Sequence, residues 1–540
     1  MNKSGIGIGQ SSAFSSLFVD YIEHPEKLRE FYNYSVSISS FRQAIADKGK
    51  ETIDRRLLVD VLKKQYRRAN QESAFSPGRP EVSNLELLME PSTFTVCTGH
   101  QLCLFTGPLY FIYKIITTIN LAAALKKNYP DFNFVPVYWM ATEDHDFEEI
   151  NHVQLFGKKL VWERNTAISN GKQMPAGAVE TKTLTFILAE LKTILGEGDH
   201  SKALLSLLEK AYLGNITLGD ATRSFVHELF GKYGLLILDP DDIQLKGSFS
   251  EIMKDDLVNH TNYKIVNSTI QQFNNAGISV QVNPREINCF YLKDGLRRRI
   301  VTSGSEPVNR DTEVQFSTGM LEELKMHPEY FSPNVVLRPL YQEKILPNLA
   351  YVGGPGEIAY WLEFKKMFDH HRINFPVLLP RNFVLLLDAK TVQQWDKFGF
   401  TSLDYFSETD TLAKSYVRRN SGIELSLKME QEQLTELYAK IAGQVERIDA
   451  TLKASVFAEQ QKAINALQVI EAKLLKAEKQ KSETVINQIK KIKDKLFPVG
   501  QLQERYENFI PYYLKYGPEF IEMLQKELDP LEKDMIILSE

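Results

Sequence analysis

The chain has 540 residues, which is too long for a single hydrophobic core, and its hydrophobic content is 43%. Its net charge of −5 argues against nucleic acid as the main partner. Only three cysteines occur, the N-terminus shows no signal peptide, and no apolar run reaches about 18 residues. We therefore expect a cytoplasmic protein of two to four domains that binds neither nucleic acid nor a membrane.

The first 90 residues are polar and helical in pattern, and an α/β signal begins at Phe94. An apolar run, Phe94–Thr98, enters a loop from Gly99 to Gly107, and a long helix then leads to a second apolar run, Phe134–Met140. This order predicts parallel strands with an anion-binding crevice at their carboxyl ends. Further core strands are predicted at Tyr233–Asp239, Val335–Leu337 and Pro376–Pro380.

Two segments interrupt the core pattern. Residues 153–220 combine short β-like pieces with a leucine-spaced helix, and we interpret them as an insertion. Residues 250–330 predict a second, α+β insertion with an antiparallel hairpin, because apolar and polar residues alternate at Ser279–Val282, Phe290–Leu292 and Arg299–Thr302. The predicted parts of the core are 1–152, which includes the N-terminal helices, then 221–249 and 331–385.

A helical domain is predicted from residue 386 to residue 540. It contains two apolar series with 4-3-4 spacing, Ile441–Val445–Ile448–Leu452 and Val485–Ile489–Ile492–Leu496. Charged and polar residues fill the positions between them, which is typical of the a/d seam of a coiled coil. We expect two long helices in a hairpin over about 424–496, with the turn near Ser455 and the end at Pro498.

The first candidate site lies in the loop after the first core strand. Gly107-Pro108 opens the following helix, and the free N–H groups of its first turn favour an anion. The polar side chains that can reach such an anion are those of His100, Gln101, Thr106 and Lys114. The loop is neither a Walker A motif nor GxGxxG, and a plain turn also explains its glycine and proline residues.

The second candidate site follows the strand at Phe134–Met140, where TEDHDFEEINH places five carboxylates and two histidines in eleven residues. Asp144, His145 and Asp146 can bind a metal, position an amine, or act as a base with its orienting group. An acidic helix start capped by Thr142 explains the glutamates but not a histidine between two aspartates. The lack of HExxH and of paired cysteines argues against zinc.

The third candidate site lies in NVVLRPLYQEKILPNLAYVGGPGEIAYW, where Arg338 ends a predicted strand and glycines precede a second helix. Such glycines expose N–H groups to an anion, although they also suit a tight turn with positive φ. Glu343 and Glu357 are candidates to hold an ammonium group. Arg381, at the end of the last strand, can clamp a carboxylate with both ends of its guanidinium.

The chain resembles, over essentially its whole length, the family of bacillithiol biosynthesis cysteine-adding enzymes, or cysteine ligases. The resemblance rests on four ordered stretches, TGHQLCLFTGPLYFIYK, EDHDFEEINHV, RPLYQEKILPNLAYVGGPGEIAYW and the strand end at Pro380-Arg381. The chain departs from the commoner pattern of the family at His100 and Cys103, where Gln and Gly are usual.

The resemblance implies an α/β fold with a Rossmann-like parallel-sheet core, two connective insertions and a C-terminal coiled coil that forms a homodimer. It also implies a ligase that joins the carboxyl group of L-cysteine to the amine of glucosaminyl-malate, which yields the low-molecular-weight thiol bacillithiol. Because amide formation from a free carboxylate is uphill, we expect activation by a nucleotide. No adenylation signature is visible, so the agent stays open between ATP and another nucleotide.

The charges of these substrates suit the candidate sites. The malate carboxylates suit helix N-termini and Arg381, and the ammonium groups suit Asp144, Asp146 or Glu343. We expect His145, oriented by one of these aspartates, to take a proton from the attacking amine. The candidate catalytic residues are His145, Asp144 and Asp146, with no metal site assigned. The candidate substrate-binding residues are Gly99, His100, Gln101, Thr106, Gly107, Tyr110, Lys114, Arg338, Glu343, Gly354, Gly356, Glu357 and Arg381.

Two alternatives belong to other functional classes. The chain can be a coiled-coil scaffold that binds a nucleotide or a sugar without catalysis, or a metal-dependent hydrolase that uses Asp144, His145 and Asp146. An acidic cluster at a strand end argues against the scaffold, and the missing ligand spacing argues against the hydrolase.

Overall fold

The structure is a computed structural model that describes residues 1–69, 78–163, 174–302, 309, 312–421 and 425–540. Residue 424, the expected start of the coiled-coil hairpin, lies outside the described residues. The chain forms two compact units. The core unit comprises Gly7–Val384 and Glu504–Ile536, and the helical unit comprises Met1–Ile6, Leu385–Gln503 and Ile537–Glu540.

Fourteen strands occur in the described part of the chain. They are β1 (Asn2–Ile6), β2 (Thr93–His100), β3 (Asn133–Met140), β4 (His152–Leu155), β5 (Lys158–Val161), β6 (Leu236–Leu238), β7 (Cys289–Lys293), β8 (Leu296–Val301), β9 (Glu313–Gln315), β10 (Phe331–Pro333), β11 (Asn348–Gly353), β12 (Val377–Pro380), β13 (Phe383–Leu387) and β14 (Met535–Ser539).

The α-helices up to the last core strand are α1 (Ser16–Glu23), α2 (Phe41–Lys48), α3 (Arg55–Arg68), α4 (Pro80–Leu87), α5 (Tyr110–Asn128), α6 (Phe147–Ile150), α7 (Leu184–Leu195), α8 (Asp199–Tyr212), α9 (Leu218–Phe230), α10 (Ile243–Gly247), α11 (Ser250–Asn259), α12 (Thr261–Asn275), α13 (Gly319–Met326), α14 (Arg338–Ile345), α15 (Pro355–Leu362) and α16 (Lys365–His371). The later helices are α17 (Ala389–Lys397), α18 (Thr409–Asn420), α19 (Lys428–Glu446), α20 (Lys453–Lys481), α21 (Glu483–Leu496), α22 (Gln503–Tyr506), α23 (Ile510–Tyr516) and α24 (Glu519–Glu527).

A five-stranded parallel sheet forms the centre of the core unit, in the order β12–β11–β2–β3–β6. Its strands are almost fully buried and therefore read as continuous apolar runs rather than alternating ones. Because all five strands are parallel, their carboxyl ends lie along one edge of the sheet. The predicted strands at Phe94–Thr98, Phe134–Met140 and Pro376–Pro380 are confirmed within one or two residues at each end.

The predicted strand at Val335–Leu337 is wrong. The Asn334 side chain accepts hydrogen bonds from the backbone N–H groups of Val336 and Leu337, which turns the chain directly into α14. The core strand is instead β11, which begins eleven positions after Leu337 and is buried throughout. The predicted strand at Tyr233–Asp239 is shorter than expected, since only Leu236–Leu238 is extended after a 3₁₀ turn.

The segments between the core strands carry two small sheets. β4 and β5 pair in an antiparallel hairpin, and helices α7 to α9 follow. β10, β7, β8 and β9 form a four-stranded sheet, and its β7–β8 hairpin confirms the expected antiparallel pair. No strand forms at Ser279–Val282, because the Gln281 N–H donates 2.6 Å to the Glu363 carboxylate instead of to a neighbouring strand.

The helical unit contains the expected helical hairpin with different boundaries. α19 packs against α20, and α20 and α21 pack against α18. The turn lies at residues 447–452, where the Asp449 carboxylate accepts from the Thr451 N–H, so Ser455 is inside a helix. The second predicted helix is divided at Ser482 into α20 and α21. No described helix is both long enough and apolar enough to cross a membrane.

Candidate active site

A cavity of about 790 Å³ opens at the carboxyl edge of the five-stranded sheet. Every strand of that sheet contributes to its wall through residues at or just beyond the end of the strand. The contributors are Gly99 and His100 at the end of β2 with Gln101 after it, Ala141, Glu143 and Asp144 after β3, Pro240 after β6, Gly354, Gly356 and Glu357 after β11, and Arg381 after β12. This convergence is the arrangement by which open parallel sheets bind ligands.

The cavity brings together eleven of the sixteen predicted site residues. They are Asp144, Gly99, His100, Gln101, Tyr110, Lys114, Arg338, Gly354, Gly356, Glu357 and Arg381. The remaining five, His145, Asp146, Thr106, Gly107 and Glu343, do not line it.

The buried Lys114 forms an ion pair with the partly exposed Glu357 in the wall, with 2.6 Å between Nζ and Oε2. Lys114 also donates to the Gly99 carbonyl at 2.5 Å, and Glu357 accepts from the Gly354 N–H and the Tyr351 hydroxyl. Burial raises the pKa of Glu357, but the Lys114 charge and these hydrogen bonds outweigh it and hold the pKa at about 2. Glu357 therefore already holds an ammonium group, that of Lys114, rather than awaiting one from a ligand.

Arg381 is also committed within the protein. Both terminal nitrogens of its guanidinium donate to the Glu504 carboxylate, at 2.6 and 2.9 Å, and both side chains are buried. The expected bidentate clamp therefore forms, but its carboxylate belongs to Glu504. Only Nε of Arg381 lacks a hydrogen-bond partner among the described residues.

The predicted anion site at the start of α5 is covered by the chain itself. The Leu109 N–H donates to the Glu507 carbonyl at 2.6 Å, and Asn508 Nδ2 donates to the carbonyls of Phe105 and Gly107. Thr106 is buried in this loop and does not reach the cavity. Gly107 is needed for the turn, because its φ is +66° and a Cβ there would lie 2.5 Å from the Cys103 Cβ.

Glu343 lies inside the protein, away from the cavity, so the expected role in binding an ammonium group is wrong. Its carboxylate is fully buried and accepts from Gln342 Nε2 at 2.8 Å and Asn348 Nδ2 at 2.7 Å. Burial raises the pKa of Glu343 to about 7. Glu343 therefore fastens the start of β11 to the end of α14.

The acidic side chains that follow β3 have different roles. Asp144 lines the cavity and accepts from Gln101 Nε2 at 2.7 Å, whereas Asp146 accepts from the Glu149 N–H as the N-cap of α6. The cap is thus Asp146 and not Thr142, whose hydroxyl donates to Asp239 at 2.5 Å. Asp144, His145 and Asp146 do not form a group whose ligand atoms lie within 4.8 Å of one another among the described residues.

His145 is oriented by an arginine. Its Nδ1 lies 2.8 Å from Arg297 Nη1 and 3.9 Å from the Asp144 carboxylate, so the expected aspartate hydrogen bond is not formed. Because an arginine can only donate, Nδ1 is the acceptor and the proton of the neutral ring lies on Nε2. Burial and the Arg297 charge lower the pKa of His145, which keeps the ring neutral.

His100 stands where the sequence departs from the commoner family pattern. Its ring contacts Tyr110 and Phe111, and its Nε2 lies 3.8 Å from the Cys103 thiol. Burial and the Lys114 charge lower the pKa of His100 to about 3, so the imidazole is neutral. Burial raises the pKa of Cys103 to about 12, which makes this thiol a poor nucleophile.

Sequence reasoning missed four basic residues that reach the cavity from outside the sheet. They are Arg285, Arg297 and Arg299 from the second insertion and Arg505 from the C-terminal segment. The run Arg297-Arg298-Arg299 lies in β8, and alternate side chains of a strand share a face. The sequence could therefore have predicted that Arg297 and Arg299 point to the same side of the sheet. No local signal indicates Arg505.

The cavity wall has an excess of positive charge. Its basic residues are Lys114, Arg285, Arg297, Arg299, Arg338, Arg381 and Arg505, and its acidic residues are Glu143, Asp144 and Glu357. Glu143 is itself paired with the buried Lys246 at 2.7 Å, and burial raises the pKa of the Glu143 carboxyl. Arg338 keeps a buried Nη2 without a hydrogen-bond partner among the described residues. The cavity therefore suits an anionic guest that also carries an amine.

Comparison with known proteins matches both parts of the chain. A family model described as Bacillithiol biosynthesis BshC, N-terminal Rossmann-like domain, matches residues 1–382, and one described as Bacillithiol biosynthesis BshC, C-terminal coiled-coil domain, matches residues 384–540. These matches confirm the expected fold class of a Rossmann-like core with a C-terminal coiled coil.

Several relatives are similar over nearly their whole length, and each is named "Putative cysteine ligase BshC". The protein from Christiangramia forsetii is 41% identical over 99% of this chain and 98% of its own. Those from Flavobacterium psychrophilum and Cytophaga hutchinsonii are 42% and 40% identical over 99% and 97% of this chain, and 98% and 96% of their own lengths.

Proposed function

Because this chain belongs to the bacillithiol biosynthesis BshC family, we propose that it is a cytoplasmic ligase that joins L-cysteine to glucosaminyl-malate through an amide bond. The observation that carries this proposal is the cavity at the carboxyl edge of the sheet, with seven basic and three acidic side chains in its wall. Glucosaminyl-malate combines a dicarboxylate with an amine and so has the charges that such a wall complements.

The malate carboxylates are assigned to the arginines without a tight internal ion pair. Arg338 has a buried nitrogen without a hydrogen-bond partner among the described residues, and Arg285 and Arg299 line the cavity from the second insertion. Arg299 also has an ion pair with Glu313, but it is long, at 3.5 Å. A guanidinium fork matches a carboxylate in geometry as well as in charge, and hydrogen bonds to charged groups are the stronger ones. Lys114 and Arg381 stabilise the wall through Glu357 and Glu504 instead.

The amine of the sugar is assigned to the acidic segment after β3. Asp144 is partly exposed at the cavity and is held in place by Gln101, so its carboxylate is positioned to accept from an ammonium group. The Glu143 carboxylate lies in the same wall. An amine bound there has to lose a proton before it can attack an activated carboxyl carbon.

His145 does not line the cavity itself but lies 2.8 Å from Arg297 of the cavity wall, and it is proposed to accept that proton. Its ring is neutral near pH 7, as a general base requires, because burial and Arg297 lower its pKa. Its unprotonated Nδ1 faces Arg297 Nη1 at 2.8 Å, so this contact has to open when the substrate binds. Arg297 is then a positioning residue that selects the tautomer of His145.

The cysteine carboxylate needs an activating co-reactant, for which we propose a nucleoside triphosphate. Transfer of a phosphoryl or nucleotidyl group to a carboxylate oxygen makes that oxygen part of the leaving group, and the amine nitrogen then forms the new bond to carbon. The candidates for this agent are ATP and other nucleotides. The basic wall that suits malate also suits phosphate oxygens.

We further propose that the helical hairpin forms a homodimer. Several apolar side chains of α19, α20 and the intervening turn are exposed, namely Leu437, Ile448, Leu452, Phe457, Val469 and Ile470. A heptad seam buries such side chains best against a further helix. Sedimentation of the full chain and of a variant lacking 424–496 tests this, since a dimer should become a monomer.

The decisive experiment incubates the purified chain with glucosaminyl-malate, L-cysteine and a panel of nucleoside triphosphates, and analyses the products by mass spectrometry. We expect a product with the mass of both substrates minus one water, formed only with cysteine and with a particular nucleotide. Thermal stabilisation by glucosaminyl-malate with no product under any nucleotide would support a binding scaffold and contradict the ligase.

A further inference from the structure

A group of metal-binding side chains lies apart from the cavity, between α11 and α16. Asp255 of α11 and His370 and His371 of α16 each offer a ligand atom, and these atoms lie within 4.8 Å of one another. None of the three lines the cavity. Among the described residues, this is the one group of three such side chains that converges in this way.

The tautomer of His371 is set by its neighbours. Asn262 Nδ2 donates to Asp256 Oδ1 at 3.2 Å, so the Asn262 carbonyl oxygen is the atom that faces His371 Nε2 at 2.8 Å. Nε2 therefore carries the proton, and Nδ1 has a lone pair available.

This arrangement is the one that metal-binding histidines use. They donate their second ring N–H to a carbonyl or a carboxylate, which orients the ring and makes the ligating nitrogen more basic. Asp256 extends the support, because it also accepts from the Asn288 N–H at 2.5 Å. These hydrogen bonds thus fix the orientation of His371, through Asn262, Asp256 and Asn288 in turn.

Asp255 has a carboxylate oxygen that no hydrogen bond uses among the described residues. Its Oδ1 accepts from Asn259 Nδ2 at 2.7 Å, whereas its Oδ2 is buried and has no hydrogen-bond partner among the described residues. A buried carboxylate oxygen without a partner is unfavourable, and a bound cation removes that penalty. His370 is exposed, so its ring can rotate towards the ion from the solvent side.

We propose that Asp255, His370 and His371 bind a divalent ion of the late first transition row, with Zn²⁺ as the expected ion. Two imidazole nitrogens and one carboxylate favour such an ion over Mg²⁺ or Ca²⁺, which prefer oxygen ligands. Bonds of about 2.0–2.1 Å place tetrahedral ligands about 3.3 Å apart, so the three groups have to close by an ångström or so. A water molecule completes the coordination.

The bound ion joins two parts of the core unit that are distant in sequence. α16 lies between the core strands β11 and β12, and α11 belongs to the second insertion. An ion that binds the folded state and not the unfolded chain stabilises the folded state in proportion to the logarithm of its concentration. The site is therefore a structural clamp rather than part of the ligase cavity.

The test uses the full-length protein, freed of metal with a chelator, and titrates it with Zn²⁺ and with Co²⁺. We expect one ion per chain with a dissociation constant in the micromolar range or below, a rise in melting temperature, and the visible absorption of four-coordinate Co²⁺. His370→Ala removes an exposed ligand, and Asp255→Asn keeps the shape and the hydrogen bond to Asn259. Each is expected to weaken binding at least tenfold.

His24→Ala is the matched control, because His24 is also exposed and its only ion-pair contact among the described residues is with Glu26 at 3.9 Å. It is expected to bind Zn²⁺ as the unaltered chain does. The expected dissociation constant is micromolar or below. The proposal is overturned if the unaltered chain does not bind Zn²⁺ when the Zn²⁺ concentration is about 100 times higher than that constant. It is equally overturned if His370→Ala and Asp255→Asn bind with unchanged affinity, since the ion then lies elsewhere.

Discussion

The two sides of the cavity use basic side chains in opposite ways. On one side, which we call the paired side, the buried cations of Lys114 and Arg381 each contact a carboxylate at 2.6 Å. On the other, the hairpin side, Arg297 donates to the neutral groups Ser332 and His145. A buried cation that is paired with a carboxylate stabilises the protein itself. A cation that is hydrogen-bonded only to neutral groups can still form an ion pair with a ligand. Substitutions on the two sides should therefore differ in what they change, activity on the hairpin side and stability on the paired side.

The strongest test concerns the proposed proton acceptor on the hairpin side. His145→Gln is expected to reduce turnover by about 10²–10⁴ with little change in stability, because the base is lost while the half-buried side chain keeps its size. Steady-state kinetics and thermal unfolding measure the two effects. His152→Gln is the control from the same acidic segment, and its rate should be unchanged. A His145→Gln enzyme with a normal rate would remove this role.

On the paired side, the loss should appear in stability. Glu504→Gln leaves the Arg381 guanidinium buried without its counter-charge, and removing one partner of a buried pair costs about 3–5 kcal/mol. Denaturant unfolding of the core unit measures this change. Glu522→Gln is the control in the same C-terminal segment, since its ion pair with Lys232 is exposed and is worth less than about 1 kcal/mol. Equal effects of the two variants would contradict a framework role for Arg381.

The buried Glu343 predicts a pH dependence. Its pKa is about 7 in the folded protein, above the value of about 4.3 for an exposed glutamate, so the folded state binds the proton more tightly. The stabilising contribution is therefore complete below about pH 4.3 and is lost as the pH rises through 7.

Glu343→Gln should remove this dependence and stabilise the protein at pH 8 by about 1–3 kcal/mol. Its amide oxygen can still accept from Gln342 and Asn348. Unfolding free energies measured from pH 5 to pH 8 provide the comparison, with Glu30→Gln at an exposed position as the control. If the variant and the unaltered chain show the same pH profile, the carboxyl group is not buried as described.

The smallest expected effect is on substrate affinity at the hairpin side. Arg299→Gln should raise the KM for the malate-containing substrate about tenfold, as expected for one charge-assisted hydrogen bond, with kcat and stability nearly unchanged. Arg298→Gln is the matched control, because β8 places Arg298 on the opposite face from Arg299. Similar KM values for the two variants would mean that the hairpin side does not hold the anion.

The sequence alone was sufficient for the features that depend on local pattern. Continuous apolar runs predict the buried strands β2, β3 and β12, and the heptad spacing predicts the helical hairpin. Gly107 could be assigned to a turn because glycine tolerates a positive φ. Because parallel strands end at one edge, the polar loops after them were expected to converge, and eleven of the predicted site residues line one cavity.

The roles of those residues were decided only by tertiary structure. Arg381 meets a carboxylate 123 positions away, and His145 meets an arginine 152 positions away. Neither pairing can be predicted from the periodicity or spacing of the sequence, because these describe only residues within one helix or strand. Whether a buried charge serves the framework or a ligand depends on which distant group shares its burial, and that is determined when the chain folds.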